Sequence, residues 1–167
     1  GTGSDVSNSG TLELSGSGSV GIYAAGTQAG TVNNSGNVTV GDSGVGIFNN
    51  NVNNIVTNSA DITGGVKSAG LYTNGGTVNH LSGDIKTGSE GVGVYAVSGV
   101  ITLNNGKLDV DDTEEVGIYV KDGAKIDNNM EMNIAQNNYG IILETGSSLI
   151  NRNRSTLGEN SVFLYSN

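Results

Sequence analysis

The chain contains no cysteine, no proline and no tryptophan, and only seven basic residues stand against sixteen acidic ones. Without cysteine, neither a disulfide framework nor a thiolate metal site can form. Without proline, no residue lacks the backbone N–H that a strand inside a stack must donate. The shortage of Lys and Arg, with a net charge of -9, argues against nucleic acid and anionic membrane, which both select basic surfaces. No run of about 18 apolar residues offers a membrane-spanning helix. There is no basic-then-apolar leader and no initial Met, so residues 1–167 are expected to be one segment, truncated at both ends, of a longer chain. Leu, Ile, Val and Phe together make up about a quarter of the residues, little for a chain with one central core.

Glycine and asparagine are plentiful, at 28 and 23 residues, and both tolerate the positive φ of frequent turns. The pattern Val20-Gly21-Ile22-Tyr23 returns as Val45-Gly46-Ile47-Phe48, Ala69-Gly70-Leu71-Tyr72, Val92-Gly93-Val94-Tyr95, Val116-Gly117-Ile118-Tyr119, Tyr139-Gly140-Ile141-Ile142 and Val162-Phe163-Leu164-Tyr165. Its glycine slots are spaced by 25, 24, 23, 24, 23 and 23 residues. A period near 24 without helical patterning predicts an all-β solenoid of about seven rungs, each closed by three short strands. Seven rungs at about 4.8 Å each make a rod roughly 34 Å long.

Period-two alternation predicts which side chains fill the rod. In the first run it turns the Val20 and Ile22 slots inward and the Gly21 and Tyr23 slots outward. The middle run supplies Val6, Val32, Val56, Val78, Thr102, Ile126 and Leu149 to the core. The third run supplies Leu12 with Leu14, Val38 with Val40, Ile62, Ile85, Leu108 with Val110, and Met132 with Ile134. Asn8, Asn34, Asn58, Asn104, Asn128 and Asn151 recur at a corner, where aligned amides can bond up the stack. His80, the lone histidine, fills that slot in the fourth rung and is expected to be a corner residue rather than a chemical one.

Several strings suggest chemistry. Gly41-Asp42-Ser43-Gly44 spells a serine-protease nucleophile motif, but His80 is the sole base available and a triad needs a base oriented by an acid. Gly16-Ser17-Gly18-Ser19-Val20-Gly21 has the letters of a dinucleotide fingerprint without the following helix. No catalytic residue and no cofactor is therefore expected. Asp109, Asp111, Asp112, Glu114 and Glu115 form a calcium candidate, since calcium takes six to eight oxygens, but their spacing fits no known calcium loop and a solvated acidic turn is the expectation. Tyr23, Phe48, Tyr72, Tyr95, Tyr119 and Tyr165 predict an outward aromatic stripe, covering the glycines and offering a candidate binding surface.

Gly-Val-Gly-Ile-Phe at 44–48, Gly-Val-Gly-Val-Tyr at 91–95 and Thr-Val-Asn-Asn-Ser-Gly-Asn-Val-Thr-Val at 31–40 resemble autotransporter passengers. More narrowly, they resemble the large repeat-rich type V autotransporter adhesins, particularly those of fusobacteria. The resemblance implies a right-handed parallel β-helix exported to the bacterial cell surface. It also implies anchorage in the outer membrane by a separate C-terminal β-barrel, and attachment to a protein or glycan of host cells or other bacteria. The absence of cysteine agrees with passage through an oxidising periplasm. The segment is expected to be non-enzymatic, and monomeric or associating through its uncapped ends. The rival readings are a glycan-cleaving β-helix of the lyase or tailspike kind and a spacer with no partner.

Overall fold

The computed structural model describes residues 3–167, which form nineteen strands and no helix. Every ladder is parallel and joins a strand to its equivalent about 24 residues on, as in the pairs Val20↔Val45, Val32↔Val56 and Val38↔Ile62. The chain is thus a β-solenoid with three faces. The first face holds Val20–Ala25, Val45–Asn50, Val116–Val120, Tyr139–Leu143 and Val162–Ser166. The second holds Asp5–Asn8, Thr31–Asn34, Ile55–Asn58, Lys125–Asn128 and Ser148–Asn151. Two long strands, Ala69–His80 and Val92–Leu103, run through both of these faces. They turn the corner at Gly75, Gly76 and Gly99, whose φ values of 112°, 71° and 94° are ones a side chain would strain. The third face is a separate sheet of seven strands from Leu12–Leu14 to Ser155–Leu157.

The core runs up the inside of all three faces. Val32, Val56, Val78 and Ile126 from the second face, and Val38, Val40, Ile62, Ile85, Leu108, Val110, Met132 and Ile134 from the third, are buried as the alternation predicts. In the outermost rungs Val6 is exposed and Leu12, Leu14 and Leu149 are only partly covered. The inner rungs bury these slots because each has a neighbour above and below, which is how stacking stabilises rungs that could not fold singly.

On the first face, simple alternation fails at the glycine. In the Ile slot Ile47, Leu71, Val94, Ile118 and Ile141 are buried as expected, with Ile22 partly covered and Leu164 exposed in the end rungs, but Val20 is 36% exposed and Val45, Val92 and Val116 are only half-buried. It is the glycine that faces the core. A Cβ at Gly46 would lie 2.4 Å from Ile62 Cγ2 of the third face and 2.7 Å from the carbonyl oxygen of Gly70. Ladder pairing passes from Val20↔Val45 to Ile22↔Ile47 without the glycine, so two successive residues, Gly and Ile, both lie on the inner side. The rings therefore do not cover the glycines.

In the fifth rung the expected alignment slips by one. Ile101, not Thr102, pairs with Val78 and Ile126, and Leu103, not Asn104, occupies the corner slot between His80 and Asn128. The corner column is consequently two ladders. In the first, Asn8 Nδ2 donates to Asn34 Oδ1 at 2.7 Å, and Asn34 Nδ2 to Asn58 Oδ1 at 2.6 Å. Asn58 Nδ2 then meets His80 Nδ1 at 2.8 Å, while His80 Nε2 lies 2.9 Å from the Gly83 carbonyl. An amide NH2 can only donate and a carbonyl can only accept, so His80 is neutral with its proton on Nε2. Burial pushes its pKa down, in the same direction. The second ladder starts afresh at Asn128, whose Nδ2 donates to Asn151 Oδ1 at 2.7 Å. Among the described residues Asn8 and Asn128 have no amide below them in this column, and each instead accepts from a backbone N–H of its own turn, Gly10 and Met130.

The turn from the third face to the first holds one left-handed residue in every complete step: Gly18, Ser43, Lys67, Glu90, Glu114, Asn137 and Asn160, with φ between 56° and 72°. Five of their N–H groups, those of Gly18, Ser43, Lys67, Glu90 and Asn137, link neighbouring rungs, as from Ser43 to Val66 O at 2.7 Å and from Lys67 to Ser89 O at 2.8 Å. The left-handed region costs an L-residue roughly 1–2 kcal/mol, against which glycine's greater chain entropy costs about 0.5–1. Ser43→Gly is therefore expected to raise stability by about 0.5 kcal/mol in denaturant melts; a loss of stability would show that the serine side chain matters to the turn.

Candidate functional site

The alternation defect on the first face puts two apolar rows side by side on the surface. The outer row is aromatic. Tyr23 and Phe48 have ring centroids 5.1 Å apart, Phe48 and Tyr72 4.4 Å, Tyr72 and Tyr95 4.9 Å, and Tyr95 and Tyr119 5.1 Å. Each contact is close enough for a favourable aromatic pair. The rings point outward as the sequence predicts; Tyr23 is 57% exposed and the next four are half-buried against one another. The stripe ends there, because Ile142 takes the following slot and separates Tyr119 from Tyr165. Tyr165 meets Tyr139 instead, at 6.4 Å.

Beside the rings runs the row of Val45, Ala69 and Val92. These three form the floor of a shallow groove walled by Tyr72 and Tyr95 on one side and by Ser43, Lys67 and Glu90 on the other. Lys67 and Glu90 pair across rungs at 3.3 Å. On the far side of the rings lies an amide row, in which Asn74 Nδ2 donates to Asn50 Oδ1 at 3.1 Å and Asn50 Nδ2 to Tyr23 Oη at 3.3 Å. At the upper end Tyr119 Oη donates to Glu144 Oε1, and this bond pushes the phenol's pKa up to about 12. The face thus offers partly apolar surface along five rungs, bordered by amide groups and by charged groups such as Lys67, Glu90 and Glu144. The groove floor was not legible from the sequence, because alternation assigned the slot of Val45, Ala69 and Val92 to the core.

The acidic cluster is not one solvated turn. Asp109 accepts from Asn133 Nδ2 at 3.0 Å, Asp111 pairs with Lys86 Nζ at 2.8 Å, and Asp112 accepts from Ser89 Oγ at 2.6 Å. Glu114 is exposed on the left-handed turn position. Glu115, however, is only 1% exposed. Its Oε1 accepts from Thr87 Oγ1 at 2.9 Å and its Oε2 from the Asp112 N–H at 2.7 Å. Burial pushes its carboxyl up to about 7, against those two bonds and with the help of the Asp111 and Asp112 charges. Four of the five carboxylates therefore point to separate partners while Glu114 faces solvent, and among the described residues no three His, Cys, Asp or Glu side chains gather as a metal site. The sequence signal for Glu115 was its slot: it precedes the Val-Gly-Ile-Tyr run, where Ser68 and Asn138 are also buried.

Neither the nucleophile motif nor the dinucleotide string gains the surroundings its chemistry needs. Both ring nitrogens of His80 are bonded within the wall of the rod, whereas Ser43 lies exposed beside the groove. Gly16 to Gly21 form a turn and the start of a strand, with no helix to receive a phosphate.

Residues 1–131 match the family model described as the BigA third pectate lyase-like domain. No curated protein and no solved structure matches the chain.

Proposed function

Since the chain belongs to the family of BigA third pectate lyase-like domains, we propose that it is a non-enzymatic segment of a surface-exposed autotransporter adhesin, of the large type V kind that includes fusobacterial members. The family match supports a passenger-type domain, and the words pectate lyase-like describe a relation of fold. In this reading a β-barrel elsewhere in the parent displays the rod at the outer membrane, and the segment adds contact surface for attachment.

The observation that carries the reading is the aromatic stripe with its Val/Ala groove. An apolar stripe of this kind, bordered by polar groups, is the usual character of a contact surface. The stripe favours protein over sugar as the thing contacted. Phe48 and Tyr72 lie nearly parallel, 10° apart, so they turn ring faces to each other and present edges and hydroxyl groups to a partner. Stacking on a sugar ring needs a free face. Contacts repeated at each rung are individually weak, but linked they give avidity. The separate commitments of the acidic residues and of His80 support the absence of an acid/base pair.

The test uses the full-length parent displayed on cells. Replacing Phe48, Tyr72 and Tyr95 together by Thr, a good strand former, should reduce attachment by about tenfold at unchanged surface display. Attachment that ignores this change and instead tracks rod length, after in-phase removal of rungs, would make the segment a spacer. Lyase or hydrolase activity in the purified chain, lost on changing one carboxylate, would defeat the non-enzymatic reading.

A further inference from the structure

Glu115 is a buried carboxyl group that pairs with no cation among the described residues. Its two oxygens accept from a hydroxyl and a backbone amide, both neutral, and its own N–H donates to Asn138 Oδ1 at 2.9 Å. Asn138 in turn donates to the Val110 and Asp112 carbonyls at 3.2 and 2.7 Å. This network fastens the turn 111–115 to the rungs below and above it. Buried charges are normally paired. The charged groups facing Glu115 are of the wrong sign or already taken: Asp111 and Asp112 from its own turn, and Lys86 from the strand Ile85–Lys86, whose ammonium is held by Asp111. The next rung packs Gln136, Asn137 and Asn138 against the turn, none of which titrates.

The geometry points to a pH latch: protonated Glu115 docks the turn 111–115 against Thr87 and Asn138, and loss of that proton loosens the turn. With the proton on, one oxygen still accepts the Asp112 N–H while the other shares a hydrogen with Thr87 Oγ1. With the proton off, an unpaired anion sits in the wall beside two aspartates. The turn carries Glu114, which follows Lys67 and Glu90 in the column of left-handed turn residues, so the latch acts one rung beyond the end of the candidate groove that Glu90 borders. The direction follows from the raised carboxyl. Between its ordinary 4.5 and about 7 the folded chain keeps a proton that the unfolded chain has lost, so the docked turn is favoured on the acid side and loses that advantage as pH rises.

The test is an NMR titration of the purified chain between pH 5 and 9, following the Glu115 side-chain carboxyl together with hydrogen exchange at the Asp112 and Glu115 amides, corrected for intrinsic rate against Val94. The expected result is a carboxyl midpoint near 7 and a loss of amide protection of about tenfold across it. Glu115→Gln, whose amide can accept from Asp112 and donate to Thr87, should keep the protection flat. A carboxyl midpoint below 5 in the unmutated chain overturns the latch, whatever the variant does. So does a midpoint near 7 with unchanged protection, or a Gln variant that loosens with pH as the native chain does.

Discussion

Gly70→Val should lower stability by about 3 kcal/mol, at the upper end of the cost of overpacking, or roughly 6–12 °C in melting temperature for a chain of this size. The cause is not loss of the ring stack outside but collision inside. A Cβ at Gly70 would stand 2.6 Å from the Gly93 carbonyl oxygen and 2.6 Å from Ile85 Cγ2. Ile85 is fully buried and its methyl is a β-branch, so it cannot swing away without moving the third face. The carbonyl belongs to the next rung, so yielding there strains the ladder as well. Gly46, Gly93, Gly117 and Gly140 repeat the arrangement, each against an aliphatic or methionine side chain and a carbonyl. Thr63→Val, on an exposed strand position of the third face, should change stability by no more than about 0.5 kcal/mol. If the two variants melt together, the glycine slot does not face the core.

His80→Asn should cost about 1–3 kcal/mol, the penalty for one buried donor left without a partner. An asparagine could accept from Asn58 and donate one hydrogen to the Gly83 carbonyl as histidine does. Its second amide hydrogen would then face Leu103, which offers no acceptor. Histidine has one acceptor and one donor, and at the end of an amide ladder that is the full requirement. Leu103→Asn made alone should be worse, since it removes a fully buried leucine. Together the two changes would join the ladders from Asn8 to Asn151, so the pair should be less harmful than the sum by about 1–2 kcal/mol in a double-mutant cycle. A coupling of zero would show that the histidine is not a ladder terminator. The same residue sets an acid limb. Because burial lowers its pKa, His80 contributes stability that is complete above its ordinary 6.5 and falls as pH drops below it. His80→Asn should flatten that limb, while Glu115, whose shift is upward, acts in the opposite sense over 4.5 to 7.

Much of the architecture was legible in the chain itself. The period near 24, the absence of proline and the alternation of Val38-Thr39-Val40 and its copies give a parallel stack of three strands per rung, because spacing and backbone donors are local properties. The outward direction of Tyr23, Phe48, Tyr72, Tyr95 and Tyr119 followed from the same alternation. So did the corner role of His80, whose slot repeats an asparagine.

What only the tertiary structure decided lies where a residue's surroundings come from another face or another rung. The glycine faces inward because Ile62 and its equivalents approach from the third face, a contact that no pattern within one run can display. Turning the glycine inward releases the valine slot to the surface, and that release makes the groove. The fifth-rung slip to Ile101 and Leu103 is a choice of register, set by which aliphatic side chains stack on Val78 and Ile126 rather than by the nearest asparagine. The stripe stops at Tyr119 because Ile142 intervenes between two rings that look equivalent in sequence. Glu115 reads as one acid among five, and is separated from the others by burial alone: Thr87 from the rung below and Asn138 from the rung above close over it. Charge is a property of the residue, but whether water reaches that charge is decided by the neighbours that stacking supplies.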